Sequence, residues 1–128
     1  MTKIVLDASA LLALLQREKG SDQVTQHLSN AMMSSINFSE VIAVLIHTGI
    51  PEKEAKILIT DLIKEIIPFD TEQAYLTAIL RTATKNLGLS LGDRACLSLA
   101  QLHKTTALTA DKAWAKLHLE HAKIVVIR

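Results

Sequence analysis

Aromatic residues are scarce in this chain: Phe38, Phe69, Tyr75 and Trp114 together make up only 3% of it. A binding platform that stacks successive bases of a single strand on aromatic rings is therefore not expected. Excess charge is missing as well. The formal net charge is +1, which argues against both a disordered polyelectrolyte tail and a polybasic nucleic-acid binder. Any contact with nucleic acid must run through a local patch or through bound cations. The single cysteine, Cys96, cannot form an internal disulfide, which fits a reducing compartment. It lies in an apolar run and reads as a small buried hydrophobe. No apolar run is long enough to span a bilayer; Ala10–Leu15 is far too short. That stretch follows Asp7 rather than a basic leader and ends in Gln16, Arg17 and Glu18, so it is no export signal. A cytoplasmic protein is expected. The chain also lacks the Gly-x-Gly-x-x-Gly fingerprint of dinucleotide binding, and any Cys–His or Ser–His arrangement for nucleophilic catalysis. Repeats, low-complexity tracts and linkers are absent.

What is present is a composition of 49% hydrophobic and 21% charged residues over 128 positions. That profile fits one globular domain, residues 1–128, with one core. Short β-like runs alternate with helical stretches. Lys3–Leu6 is a β-rich run that stops at Asp7, and Ala8–Gln16 then reads as helix. Ser21–Leu28 reads as a short helix capped by Ser21 after Gly20. Met32–Ser35 is a weak strand, and Phe38–His47 is an almost wholly apolar helix ending before Gly49. Pro51 suits a first helical turn and opens Pro51–Lys64. Glu65–Pro68 is a strand, Asp70 starts a helix through Thr84, and Ser90 opens Leu91–His103. Thr106–Thr109 is a strand, a short helix follows from Asp111, and Lys123–Ile127 closes the pattern as a strand. Such alternation implies right-handed crossovers and a parallel sheet with helices on both faces. The strands lack polar alternation, as expected when both faces are covered. In folds of this kind ligands bind beyond the carboxyl ends of the strands.

The chain holds thirteen acidic residues. Glu18, Asp22, Glu52, Glu54 and Asp61 sit among polar neighbours and read as solvated charges. Four others stand apart. Asp7 ends the first strand, and Asp111 follows another. Glu40 begins a helix whose next residues, Val41 to Ile46, are all apolar. Asp93 shares a helical stripe with Leu97 and Ala100, while Arg94, Ser98 and Gln101 lie on the neighbouring polar stripe.

Each of these acids also has a structural explanation. Asn37-x-x-Glu40 has the form of a capping box, and Ser90-x-x-Asp93 resembles one with a shorter acid. Asp7 and Asp111 fit N-caps or first-turn acids favoured by the helix dipole. Asp70-x-x-Gln73 has the same form and is assigned to capping alone. Convergence is what makes a shared site attractive. Two carboxylates roughly 4 Å apart repel by about 4 kcal/mol at an effective dielectric of about 20. Four of them at one sheet edge require protonation or a neutralising cation. All-oxygen ligation without Cys or His suits Mg²⁺ or Mn²⁺ rather than zinc. His118-x-x-His121 has helical ligand spacing, but lies away from the acids among surface-like residues.

Four motifs, in order and spread over essentially the whole chain, carry a family resemblance. They are Val-Leu-Asp7-Ala-Ser9, Asn37-Phe-Ser-Glu40, Leu-Ser-Leu-Gly-Asp93-Arg-Ala and Thr109-Ala-Asp111-Lys-Ala-Trp114. Together they resemble the PIN-domain nucleases, and among those the VapC-like toxin ribonucleases of toxin–antitoxin pairs. The resemblance implies a three-layer α/β/α domain with a parallel five-stranded sheet in the order 3-2-1-4-5. It implies that Asp7, Glu40, Asp93 and Asp111 are catalytic and hold one or two Mg²⁺ or Mn²⁺ ions. It also implies an RNA substrate, products with 5′-phosphate and 3′-hydroxyl ends, a homodimer, and a cognate antitoxin whose C-terminal segment covers the acidic cleft. A basic residue of that segment suits a four-carboxylate pocket. The helices Ala8–Gln16 and Pro51–Lys64 are candidates for the antitoxin's groove and equally for the core.

The expected reaction is metal-assisted hydrolysis of an RNA phosphodiester. Ser9 and Thr109 are candidates for orienting the carboxylates or bound water; a local turn hydrogen bond explains them nearly as well. Arg94 and Lys112, each beside a site acid, are candidates for RNA phosphate contacts, with Arg81 and Lys85 behind them; surface solvation is the plainer reading. Rival enzymes fit poorly. An aspartate-nucleophile phosphatase wants a second acid where this chain has Ser9, and a receiver domain wants an acidic pair and a late lysine that are not evident. The alternative that survives is a PIN-like module that binds RNA or protein without cutting.

Overall fold

A computed structural model describes residues 2–128. Five strands, β1 (Ile4–Leu6), β2 (Ala31–Ser34), β3 (Glu65–Ile67), β4 (Thr106–Thr109) and β5 (Lys123–Val126), form one sheet. Its order is β3-β2-β1-β4-β5 and every pairing is parallel. The helices are α1 (Ala8–Leu15), α2 (Ser21–His27), α3 (Ser35–His47), α4 (Glu52–Leu62), α5 (Thr71–Thr84) and α6 (Leu91–Leu102). The three-layer α/β/α architecture and the 3-2-1-4-5 order expected above are both found.

Side chains of the central strands alternate between two cores, as a strand period of two requires. Leu6, Met33 and Leu108 enter a core completed by α1, α3 and α4, through residues such as Leu11, Val41, Leu45 and Ile59. Their neighbours Val5, Met32 and Ala107 enter the opposite core with Leu80, Leu97, Leu99 and Trp114. Cys96 lies in this second core, and burial pushes its thiol well above the usual value, so it is an inert packing residue. Among the described residues no helix is long and apolar enough to cross a membrane.

Several local expectations change. Helix α3 starts at Ser35, not Phe38, because the Ser34 hydroxyl accepts the Ile36 N–H as N-cap. Glu40 consequently sits in its second turn instead of opening the helix. In α2 the N-cap is Gly20, with φ 96°, and Ser21 is already helical. Asp70 caps α5 through the Gln73 N–H, but the Gln73 side chain donates to the Pro68 carbonyl rather than closing a box. Within the polar stripe of α6, Ser98 is fully buried and hydrogen-bonds Thr77 of α5. His118 and His121 follow the short 3₁₀ turn Lys112–Lys116 in irregular chain, with His121 at φ 66°. Their spacing is therefore not helical, and the ligand geometry it suggested is lost.

Gly20 is the glycine the fold needs most. Its φ is left-handed, and a Cβ there would lie 2.5 Å from the Ile127 carbonyl oxygen just beyond β5. Gly20→Ala is expected to lower unfolding stability by about 2 kcal/mol or more. Urea denaturation checks this; an unchanged midpoint would contradict it.

Candidate active site

Asp7 follows β1 directly and Asp111 lies two residues beyond β4, its neighbour at the point where strand order reverses. Glu40 reaches this edge from α3 and Asp93 from the first turn of α6. All four line one cavity of about 280 Å³, together with Ser9, Asn37, Leu12 and Val44. Asp70 is not among its lining residues.

Two of these acids are N-caps, and a third closes a capping box. Asp7 accepts the Ala10 N–H at 2.8 Å as N-cap of α1. Asp111 caps the 3₁₀ turn after it by accepting the Ala113 N–H at 2.9 Å. At α6 the capping box is complete: Asp93 Oδ2 accepts the Ser90 N–H at 2.9 Å, and Ser90 Oγ accepts the Asp93 N–H at 3.1 Å. Capping uses only part of each carboxylate, so Asp93 Oδ1 and Asp111 Oδ2 receive no hydrogen bond from the described residues.

Asp7 is the most enclosed of the four, 3% exposed. Ser9 Oγ–H lies 2.8 and 3.0 Å from its two oxygens, and Thr109 Oγ1 donates to Oδ2 at 2.6 Å. Each hydroxyl is in turn anchored from β4's side. Ser9 Oγ accepts the Ala110 N–H at 2.9 Å, and Thr109 Oγ1 accepts the Asp111 N–H at 3.1 Å. Burial raises the Asp7 carboxyl from 3.8 to about 6; these hydrogen bonds oppose the rise, and the Asp93 charge adds to it.

Glu40 is held differently. Asn37, one turn earlier on α3, donates to Glu40 Oε1 at 2.8 Å and to the Gly92 carbonyl at 3.1 Å. The Asn37–Glu40 spacing is thus a side-chain clamp inside a helix and not the capping box it resembles. The carboxylate rests against Gly92, where a Cβ would lie 2.5 Å from both of its oxygens.

The PIN domain family matches residues 4–118 of this chain. The chain belongs to the PIN-domain family. Solved structures share its fold at low sequence identity. A toxin–antitoxin complex from Klebsiella pneumoniae aligns with TM-score 0.76 and 20% identity over 98% of both chains. DNA-bound VapBC from Salmonella typhimurium gives 0.73 and 16% over the full length of both. VapBC-5 from Mycobacterium tuberculosis gives 0.67 and 17% over 98% of this chain and 99% of that one. No curated protein matches the chain.

The PIN fold does not bring every candidate to the acids. Arg94 turns away: its Nη1 donates to the Thr77 carbonyl at 2.9 Å, and it lines a separate cavity with Arg81 and Lys85. Lys112 is exposed and absent from the lining of the acidic cavity. Conversely, Asn37 and Gly92 act on the site although composition did not single them out. The signals available were an amide three residues before Glu40 and a glycine just inside a helix start. A larger groove of about 510 Å³ runs past Trp114, Leu117 and His118, but Glu120 is its only acid.

Whether the residues suit a divalent cation can be judged from their donors. Among the described residues no group of three or more His, Cys, Asp or Glu is arranged to hold an ion directly. The donor set is nevertheless all-oxygen, and Asn37 Oδ1 is buried without a partner. A cavity of 280 Å³ has room for roughly nine waters at liquid density. Mg²⁺ commonly keeps several waters and takes only one or two carboxylates. A hydrated cation therefore fits, with Asn37 Oδ1 free to accept from its water shell.

Without a cation, Asp7 makes the fold pH-sensitive in a definite direction. Its folded carboxyl binds a proton more tightly than the unfolded one, so its contribution to stability is complete below pH 3.8 and is lost as pH rises through about 6. Near neutral pH the buried charge costs on the order of 3 kcal/mol. In EDTA, Asp7→Asn is expected to be more stable than the wild-type chain at about pH 7.5, with the gap closing towards about pH 4. Paired urea titrations across pH measure it; equal or lower stability of the variant at the higher pH would refute the assignment.

Proposed function

We propose that this PIN-domain chain is a metal-dependent endoribonuclease and the toxin of a toxin–antitoxin pair, acting in the cytoplasm. The observation that carries the reading is the gathering of Asp7, Glu40, Asp93 and Asp111 on one cavity at the carboxyl ends of β1 and β4. Four carboxylates so placed attract a divalent cation and are otherwise hard to explain, since the caps require only one oxygen from each of three.

Asp7, Glu40, Asp93 and Asp111 would hold Mg²⁺ or Mn²⁺, in part through water. Such an ion supplies charge neutralisation and Lewis acidity for phosphodiester hydrolysis. The protein's part is preorganisation. Ser9 from the start of α1 and Thr109 from the end of β4 hold both oxygens of Asp7, which restrains the carboxylate from rotating away. Asn37 aims Glu40, and Gly92 leaves the space it occupies. The Ser90 box holds Asp93 at the helix start with one oxygen free. Leu12 and Val44 narrow the cavity on its apolar side. As the family resemblance implies, water attacks the phosphorus and the 3′ oxygen leaves, giving 5′-phosphate and 3′-hydroxyl ends.

By their descriptions the Klebsiella structure is a toxin–antitoxin complex and the Mycobacterium one a member of a family of toxin–antitoxin systems, which supports a protein partner for this chain. Helix α1 buries Ala10, Leu11 and Ala13 and leaves Leu12, Leu14 and Leu15 half-buried. A groove between α3 and α4, lined by Phe38, Ile42 and Lys56, is assigned as the seat of an antitoxin segment. A second copy of the chain is assigned to α5, where Tyr75 and Ile79 are 67% and 51% exposed.

Purified chain incubated with single-stranded RNA and Mn²⁺ is expected to cut it, and excess EDTA to stop it. Asp93→Asn and Glu40→Gln should lose about a hundredfold or more in cleavage rate while keeping the wild-type unfolding midpoint. Activity retained in EDTA or in both variants would overturn the reading. Binding of RNA without cleavage by the wild-type chain would favour a non-cutting module.

Gly92→Ala separates site geometry from folding. Alanine suits a helix better than glycine, and the displaced group is the mobile end of Glu40. The variant should fold at least as stably as wild type yet cleave about 10–100-fold more slowly. Full activity would show that the Glu40 position seen here is not the working one.

A further inference from the structure

The first turn of α6 borders a second cavity, of about 340 Å³, whose lining contains no acid. Arg81 and Lys85 reach it from the end of α5 and the turn that follows, and Ser90 and Arg94 from the start of α6. Among the described residues the ion pairs are Lys3 with Glu65 and Arg128 with Glu18. The three cations of this cavity therefore have no carboxylate partner. Arg94 is already fixed in place, because its Nη1 donates to the Thr77 carbonyl at 2.9 Å. Its Nε is buried and lacks a partner. Ser90 Oγ accepts the Asp93 N–H, which leaves its hydroxyl hydrogen for another acceptor.

Three unpaired cations and a spare hydroxyl around one concave space specify an anion. The guanidinium fork, set beside a lysine, matches phosphate oxygens. The location specifies which phosphate. Ser90 lines this cavity and also caps Asp93 of the acidic one, so the two sites are joined by a single helical turn. Any polyanionic strand crossing four carboxylates is repelled there and needs an attractive anchor close by. With a net charge of only +1, affinity for a nucleic acid has to be concentrated in such a patch.

We propose that Arg81, Lys85 and Arg94 form a binding site for a backbone phosphate of the RNA strand adjacent to the nucleotide over the acids. This inference rests on the ribonuclease reading above, and adds the side of the acidic cavity along which the strand runs. Arg94 is the fixed element, while Arg81 and Lys85 are exposed and close on the phosphate from the solvent side.

The test measures binding, not turnover. A fluorescent oligouridylate is titrated with the chain in EDTA, and anisotropy is followed between about 50 and 200 mM KCl. The double variant Arg81→Gln/Lys85→Gln should bind at least about tenfold more weakly at the low-salt end. Its slope of log affinity against log salt should be shallower by about 1.4, two phosphate-neutralising charges at about 0.7 each. The control Lys116→Gln/Lys123→Gln removes equal charge from exposed positions elsewhere and should leave the slope unmoved. All three proteins should share one urea midpoint. Equal weakening by both double variants would reduce the effect to net charge and overturn the site. So would RNA binding with an unaltered slope, which leaves the ribonuclease reading standing. Failure of the wild-type chain to bind RNA at any salt in EDTA would overturn the phosphate site alone, since the ribonuclease reading stands or falls on cleavage in Mn²⁺.

Discussion

Asp7 carries a carboxylate into the end of a sheet where both faces are covered by helices, and that burial has to be compensated. Its compensation comes from Ser9, Thr109 and the Ala10 N–H, groups from β1's exit and from β4. The same contacts fix the spacing of the two strands that end at the cavity, since Ala110 and Asp111 are bonded back onto those hydroxyls. Even so, the hydrogen bonds do not offset desolvation fully, and the carboxyl remains raised to about 6. A site of this kind is destabilising for the free protein and becomes favourable when positive charge enters it. Stability of the free protein and the proposed activity pull in opposite directions at this one residue.

The other acids show why capping and the proposed metal binding need not compete. A carboxylate at a helix start, whether N-cap or third residue of a capping box, accepts from the backbone with one oxygen and keeps the other. Asp93 and Asp111 follow that pattern. Their backbone bonds restrict rotation, which lowers the entropy lost when an ion or its water is gripped. Glu40 has no helix start to hold it, being in the second turn of α3. Asn37 supplies the missing restraint, and the space comes from Gly92 across on α6.

Charge is arranged on the same principle of separation. The acidic cavity and the basic one sit on either side of the Ser90–Asp93 turn, with Arg94 tied to α5 so that it cannot fold back and neutralise Asp93. An arginine at that position read from sequence looks like a neighbour of the acid. Adjacent residues on a helix point about 100° apart, and that angle sends the two side chains into different cavities.

Much of this was legible in the chain itself. Apolar strands without alternation, glycine and proline at helix ends, and acids directly after β1 and β4 determined a doubly covered parallel sheet and the edge at which to search. The motif order extended that to strand order. Asp70 is assigned to capping alone from sequence, and in the structure it is a cap away from the cavity, although it makes the same i to i+3 bond as Asp7. Local pattern misread Asn37–Glu40 as a helix start and His118–His121 as a helical pair, since spacing implies geometry only once the element is known. Which acids share a cavity, which glycine gives Glu40 room and which way Arg94 turns were decided only by tertiary structure. Those are contacts between residues far apart in the chain, set by strand order and helix packing rather than by any local preference.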